Sequence, residues 1–138
     1  MTEASLAAQK SLRNHLVADT DLIALVPAAD IRDSNARPER FPCIILGEAT
    51  VVGADAPCMS ISELHLTAHV WTREPGTENC KLIAGAVRRA AEGIDEMVDG
   101  FDLGFAFDGT RYLRDPDGET AHGVVTFAAL AVDLEEAA

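Results

Sequence analysis

Two histidines, His65 and His69, stand four residues apart and have the best claim to chemistry in this chain. On a helix that spacing would point both imidazoles at one ion. The residues around them argue against a helix. Leu64, Leu66, Ala68 and Val70 alternate with Glu63, His65, Thr67, His69 and Trp71, and a period of two is a strand. Four residues of strand span roughly 13 Å, too far for both rings to reach one ion at about 2 Å. The pair reads as two polar residues on the less buried face. His15 and His122 show no ligand spacing. Cys80 opens a helical pattern, where the dipole could lower a thiol pKa, but no partner base is identifiable and a small buried cysteine is the plainer reading. Asp115, Asp117 and Glu119 suggest a calcium loop only by their charge. The six-ligand spacing and its closing Glu are missing, so a turn built for geometry accounts for them better. The sequence has no GxSxG, GxxxxGK[ST] or GxGxxG. Ser60 and Ser62 have no suggestive neighbours. The alternating phenylalanines at 101–107 read as core, not as a base-stacking platform. The expectation is no catalytic residue, no cofactor, no metal and no enzyme activity.

Charge narrows the partners. Eleven Lys and Arg stand against 23 Asp and Glu, a net charge of −12. That opposes free binding to a phosphate backbone, which needs a basic surface. It suits solubility, and also a surface past which DNA must slide without sticking. Arg32, Arg37 and Arg40 are unusual in so acidic a chain. They read either as a solvated loop or as a docking patch for an acidic neighbour, which could be another copy of this protein. The three cysteines, Cys43, Cys58 and Cys80, include no CxxC, so a reducing cytoplasm is expected. No run reaches the roughly 18 apolar residues of a membrane span.

The elements that position these residues follow from pattern. The 138 residues fit one domain, with 1–4 and 135–138 expected to fray. Residues 3–18 read as a helix with an apolar stripe of Leu6, Leu12, Leu16 and Val17. Asp19-Thr20-Asp21 stops it and caps a short helix near 21–26. Residues 30–40 read as a loop holding at most one short strand. Cys43–Val52 is dense in Ile and Val and reads as a strand. Gly53–Pro57 reads as a loop, before the strand that carries the two histidines. Thr77 is a candidate N-cap for a helix whose Leu82, Ile83, Ala86, Val87, Ala90, Ala91 and Ile94 share one face, with Gly93 closing it. Phe101, Leu103, Phe105 and Phe107 alternate. The period slips at Gly109, which suggests a bulge. Asp115-Pro116-Asp117-Gly118 is a turn, and the last strand runs from about His122 to Leu134. The order predicts an α+β domain: an antiparallel sheet of about four strands, the main helix on one face, and an N-terminal helix. The other face is left to solvent, to the N-terminal helix or to another subunit.

Three ordered blocks carry a resemblance: Phe41-Pro42-Cys43-Ile44-Ile45-Leu46-Gly47; His69-Val70-Trp71-Thr72-Arg73-Glu74 leading into the Lys81–Gly93 helix; and Leu113–Gly118 leading to His122–Phe127. Together, over roughly residues 5–134, they resemble the tail-completion, or tail-terminator, proteins of long-tailed phages and phage-like gene transfer agents. The resemblance implies a ring, typically a hexamer, that caps the tail tube, ends its polymerisation and meets the head-side connector. It implies no cofactor and no catalytic residue. The implied partners are further copies of the chain, the tail tube protein and a connector or stopper protein. DNA would pass through the lumen, and no membrane is involved. The protein would assemble in the host cytoplasm and end at the head-tail junction. Expected contact residues are Arg32, Arg37 and Arg40, Asp55 and Pro57 in the 52–60 loop, and Asp115, Pro116, Asp117 and Gly118. A head-tail adaptor or stopper ring is the neighbouring alternative. A small enzyme subunit with a site between protomers, lined by Glu63, His65 and His69, is the alternative from another class.

Overall fold

Long alternating runs dominate the chain, and they pair into one sheet. The computed structural model describes residues 2–34, 37–56 and 59–134. Helix α1 (Ala4–Ala18) and the short α2 (Thr20–Leu25) precede strand β1 (Ile31–Asp33). Strands β2 (Cys43–Ala56) and β3 (Met59–Arg73) follow, then α3 (Glu78–Ala91), β4 (Asp95–Val98), β5 (Phe101–Arg114) and β6 (Thr120–Asp133). The sheet order is β1-β2-β3-β6-β5-β4. All neighbours are antiparallel except β1, which runs parallel to β2.

The sheet therefore has six strands, not about four. The two extra ones are the edge strands β1 and β4, three and four residues long, too short to show a period. β4 (Asp95-Glu96-Met97-Val98) is also rich in charge. It is held from above, where Glu96 accepts hydrogen bonds from Ser11 and from the His15 ring on α1. A second correction concerns Gly53–Pro57. The segment to Ala56 continues β2, with Asp55 opposite Ser60; Pro57 lies outside the described residues. The bulge expected near Gly109 is present, since the β5–β6 register slips between Phe107 and Gly109.

Helices α1 and α3 lie on the same face of the sheet. Ala7, Leu12 and Leu16 of α1 and Ile83 and Val87 of α3 join Leu64, Val70, Leu103, Val125 and Phe127 in one core. Leu6 is 55% exposed and does not belong to the buried stripe. The contact face of α1 is instead Ala4, Ala7, Ala8, Ser11, Leu12 and Leu16, small residues that let the helix approach the strands closely. The opposite face, which carries His65, His69 and Trp71, has no helix over it among the described residues.

Thr77 occupies the N-cap position of α3 but its side chain makes no capping bond. Glu74 replaces it, accepting the N–H groups of Asn79 and Cys80 at 3.0 Å each. Burial pushes the Glu74 carboxyl upward, but the Thr72 hydroxyl and these N–H groups outweigh it and hold the pKa below its usual 4.5. A depressed carboxylate stabilises the fold above its unfolded pKa and loses that contribution as pH falls through the folded one. Glu74→Ala is expected to cost about 1 kcal/mol at neutral pH. The difference from the parent should shrink as pH falls below 4.5 in thermal melts.

Candidate assembly site and its relatives

The loop after β1 and the β5–β6 turn are far apart in sequence and meet in space. Arg37, Phe41, His69, Trp71, Arg73, Asp115, Asp117 and His122 line one open cavity of about 740 Å³ on the helix-free face. The turn is rigidly built. Gly118 adopts φ +72°, where a side chain would be strained, and its N–H donates to Asp115 O at 3.0 Å. Asp117 accepts from Glu119 N, Thr120 N and the Thr120 hydroxyl. These bonds hold its carboxyl below the usual range.

The remaining expected contact residues are distributed differently. Arg40 faces Asp30 at 4.0 Å. The Nε of Arg32 is buried with no hydrogen-bond partner among the described residues, close enough to Cys43 to oppose the rise of its thiol. Asp55 lies at the far end of the β2–β3 hairpin from the turn. Its register partner is Ser60, which pairs with Asp133, whereas the turn follows Arg114 beside Ala121. The arginine loop and the Asp-Pro-Asp-Gly turn thus share a surface, and the hairpin tip belongs to the opposite end of the molecule.

The histidines also regroup. His65 pairs with Glu63 at 3.2 Å. His69 Nδ1 lies 2.7 Å from His122 Nε2, and His69 Nε2 lies 2.8 Å from Glu48. The His122 ring stacks on Trp71, with centroids 3.8 Å apart. One of the two facing nitrogens donates and the other accepts, so both cannot carry a proton. Burial first, then the His69 and Arg111 charges, push His122 down to about 4. Gly47 makes room for this arrangement, since a Cβ there would sit 2.5 Å from the His69 ring. Spacing along one strand could not reveal this pair. It needs β6 beside β3, with His122 opposite Trp71.

Burial pushes the Cys80 and Cys43 thiols up to about 11, against the lowering that a helix N-terminus would give Cys80. Among the described residues, no group of three or more His, Cys, Asp and Glu is placed to hold a metal ion. No described helix is long and apolar enough to cross a membrane.

The cavity brings Arg37 and Arg73 onto one surface with Asp115 and Asp117, under a structured turn. Comparison with known proteins gives it a context. The family model for tail completion protein gp17 matches residues 10–131. The chain belongs to the tail completion protein gp17 family. No curated protein sequence matches it. Among solved structures, a chain from the virion of a native gene transfer agent particle is 23% identical, with a TM-score of 0.85. The alignment covers 96% of this chain and 99% of that one, so the whole domain shares that chain's fold. The family assignment also fits the sequence blocks at 41–47, 69–93 and 113–127, all of which lie within the matched span.

Proposed function

We propose that this tail completion protein works as a ring at the end of a tail tube, stopping tube growth and presenting a surface to the head-side connector. The family match across residues 10–131 carries the reading. Supporting it, the likeness to a gene transfer agent virion chain extends along nearly all of both chains. A closed ring needs two different patches on each subunit that meet head to tail. This molecule offers two unlike sheet edges for such a contact, and it has two distinct ends besides, the β2–β3 hairpin tip and the cavity under the β5–β6 turn. In this reading Arg37, Asp115, Pro116, Asp117 and Gly118 contact a neighbouring subunit or the connector. The tip near Asp55 and Pro57 reaches the tube. The net charge of −12 lets the genome slide through the lumen without binding. The chain acts through shape and contact, not through catalysis, and its place is the head-tail junction.

Electron microscopy of particles made without this protein tests the proposal. Overlong tails, or tails lacking heads, are the expected result. Tails of normal length joined to filled heads would refute it.

A further inference from the structure

The sheet ends in two free edges that are unlike one another and fit together. β1 covers only Ile44–Leu46 of β2, so among the described residues β2 from Gly47 to Ala56 has a partner on one side only, β3. β4 covers β5 from Phe101 to Gly104, with one further bond from Phe105 N to Ile94 O. From Ala106 to Arg114, β5 pairs only with β6 among the described residues. The free stretches are about equally long. They are also diagonal. Val51 and Val52 lie level with Leu64 and Glu63, toward one end of the sheet, and Tyr112 and Leu113 lie level with Val70 and Trp71, toward the other.

Among the described residues neither stretch holds a proline, and what interrupts each edge is a bulge, between Leu46 and Ala49 on β2 and between Phe107 and Gly109 on β5, which leaves Val51–Ala56 and Thr110–Arg114 regular and open. Both expose apolar residues on their two faces: Val51 at 47% and Val52 at 46% on β2, Tyr112 at 36% and Leu113 at 41% on β5. Their charges are opposite in tendency. Arg111 and Arg114 are exposed on β5 beside Asp108. Above that edge Arg88 lies 3.9 Å from the Phe107 ring and Lys81 lies 5.4 Å from the Tyr112 ring. Four of the chain's eleven cations therefore lie at one edge, of which Arg88 is also paired with Glu92 at 3.2 Å. Glu48 lies on the β2 edge, with Glu63 on the adjoining strand.

We infer that the free edge of β2 in one copy pairs antiparallel with the free edge of β5 in the next, so that a second copy of this chain extends the sheet head to tail. This inference rests on the ring reading and names its interface. The direction follows from the topology. β2 and β5 run oppositely within one sheet, so two copies facing the same way bring them together antiparallel. The stagger leaves room for the caps: the neighbour's β4 falls beyond the tip of β2, and the end of the neighbour's β5 stops short of β1. Face also restricts the register. Val51, opposite Leu64, and Tyr112, opposite Gly123, both belong to the helix-bearing face. Placing Tyr112 opposite Val51 keeps both helix layers on one side. It sets Leu113 opposite Thr50 and brings the neighbour's Asp115–Gly118 turn toward the end of β1, near the arginine loop.

Cysteine pairing tests this. Opposed residues of antiparallel strands lie about 4.5–5.5 Å apart at Cα, within disulfide range. In a Cys58→Ser background, Val51→Cys with Tyr112→Cys should yield a covalent ladder of multimers under mild oxidation in the presence of tube protein. Thr50→Cys with Leu113→Cys is the second pair, should the first disturb folding as judged by its thermal melt. Val51→Cys with Met97→Cys, on the exposed β4, should give no ladder. Rings visible by microscopy without a ladder from either folded pair would overturn the edge pairing and leave the ring reading standing. Disulfide capture of the tube protein in place of a second copy would overturn it also. Absence of any ring would remove both.

Discussion

Replacing Phe127 with alanine should destabilise the protein by about 3–5 kcal/mol. Phe127 is fully buried in β6, with one neighbouring strand on each side. Its ring meets Phe105 and Phe107 edge to face, at centroid distances of 6.4 and 6.3 Å. Truncation loses the transfer of a large ring, two aromatic contacts and the atoms that fill the space beneath α3. The cavity lies in a rigid sheet that cannot collapse to fill it. A domain has only about 5–15 kcal/mol of total stability, so the variant should be largely unfolded or melt far earlier than the parent. Urea unfolding of the isolated chain measures this, and a loss below 1 kcal/mol would mean that the described core is wrong.

Acidification from pH 7.5 to 5 should remove a further share of stability, and His122 should account for it. A histidine whose folded pKa is lowered to about 4 binds fewer protons folded than unfolded, where its pKa is about 6.5. Stability is full above 6.5 and falls as pH drops from there toward 4. The shift alone would give about 2 kcal/mol at pH 5, and the ring is partly open to water, so about 1–2 kcal/mol is expected. His122→Phe keeps a ring on Trp71 and removes the titration. The parent's melting temperature should drop over this window and the variant's should change much less. Equal slopes would show that the Glu48–His69–His122 chain does not set the pH response.

How much of this was legible in the sequence depended on length and period. The four long strands and α3 announce themselves through Leu64–Val70, Phe101–Phe107 and the Leu82–Ile94 face. The slip at Gly109 was readable because it breaks a long alternation. β1 and β4 were not, because three or four residues cannot establish a period, and β4 owes its place to Glu96 meeting Ser11 and His15 on a distant helix. Leu6 misled because apolar identity does not fix which side of a helix faces the sheet. The convergence of Arg37, Asp115 and Asp117 on one cavity, and the contact of His69 with His122, depend on β6 lying next to β3. That adjacency is a property of strand order and leaves no mark in local spacing. The three blocks that carried the family resemblance contain Phe41, His69, Trp71, Asp115, Asp117 and His122, and these line the cavity. Their separation in the chain concealed that they form one surface.

If this domain closes into a ring on the end of a tube, as proposed, it should limit tube growth. Purified protein titrated into polymerising tail tube protein, with tube length and tube ends recorded by electron microscopy, tests it most directly. A ring that caps the tube should give shorter tubes as the protein is added, each carrying a single ring at one end. Unchanged tube lengths with bare ends, or protein bound all along the tube wall, would contradict it.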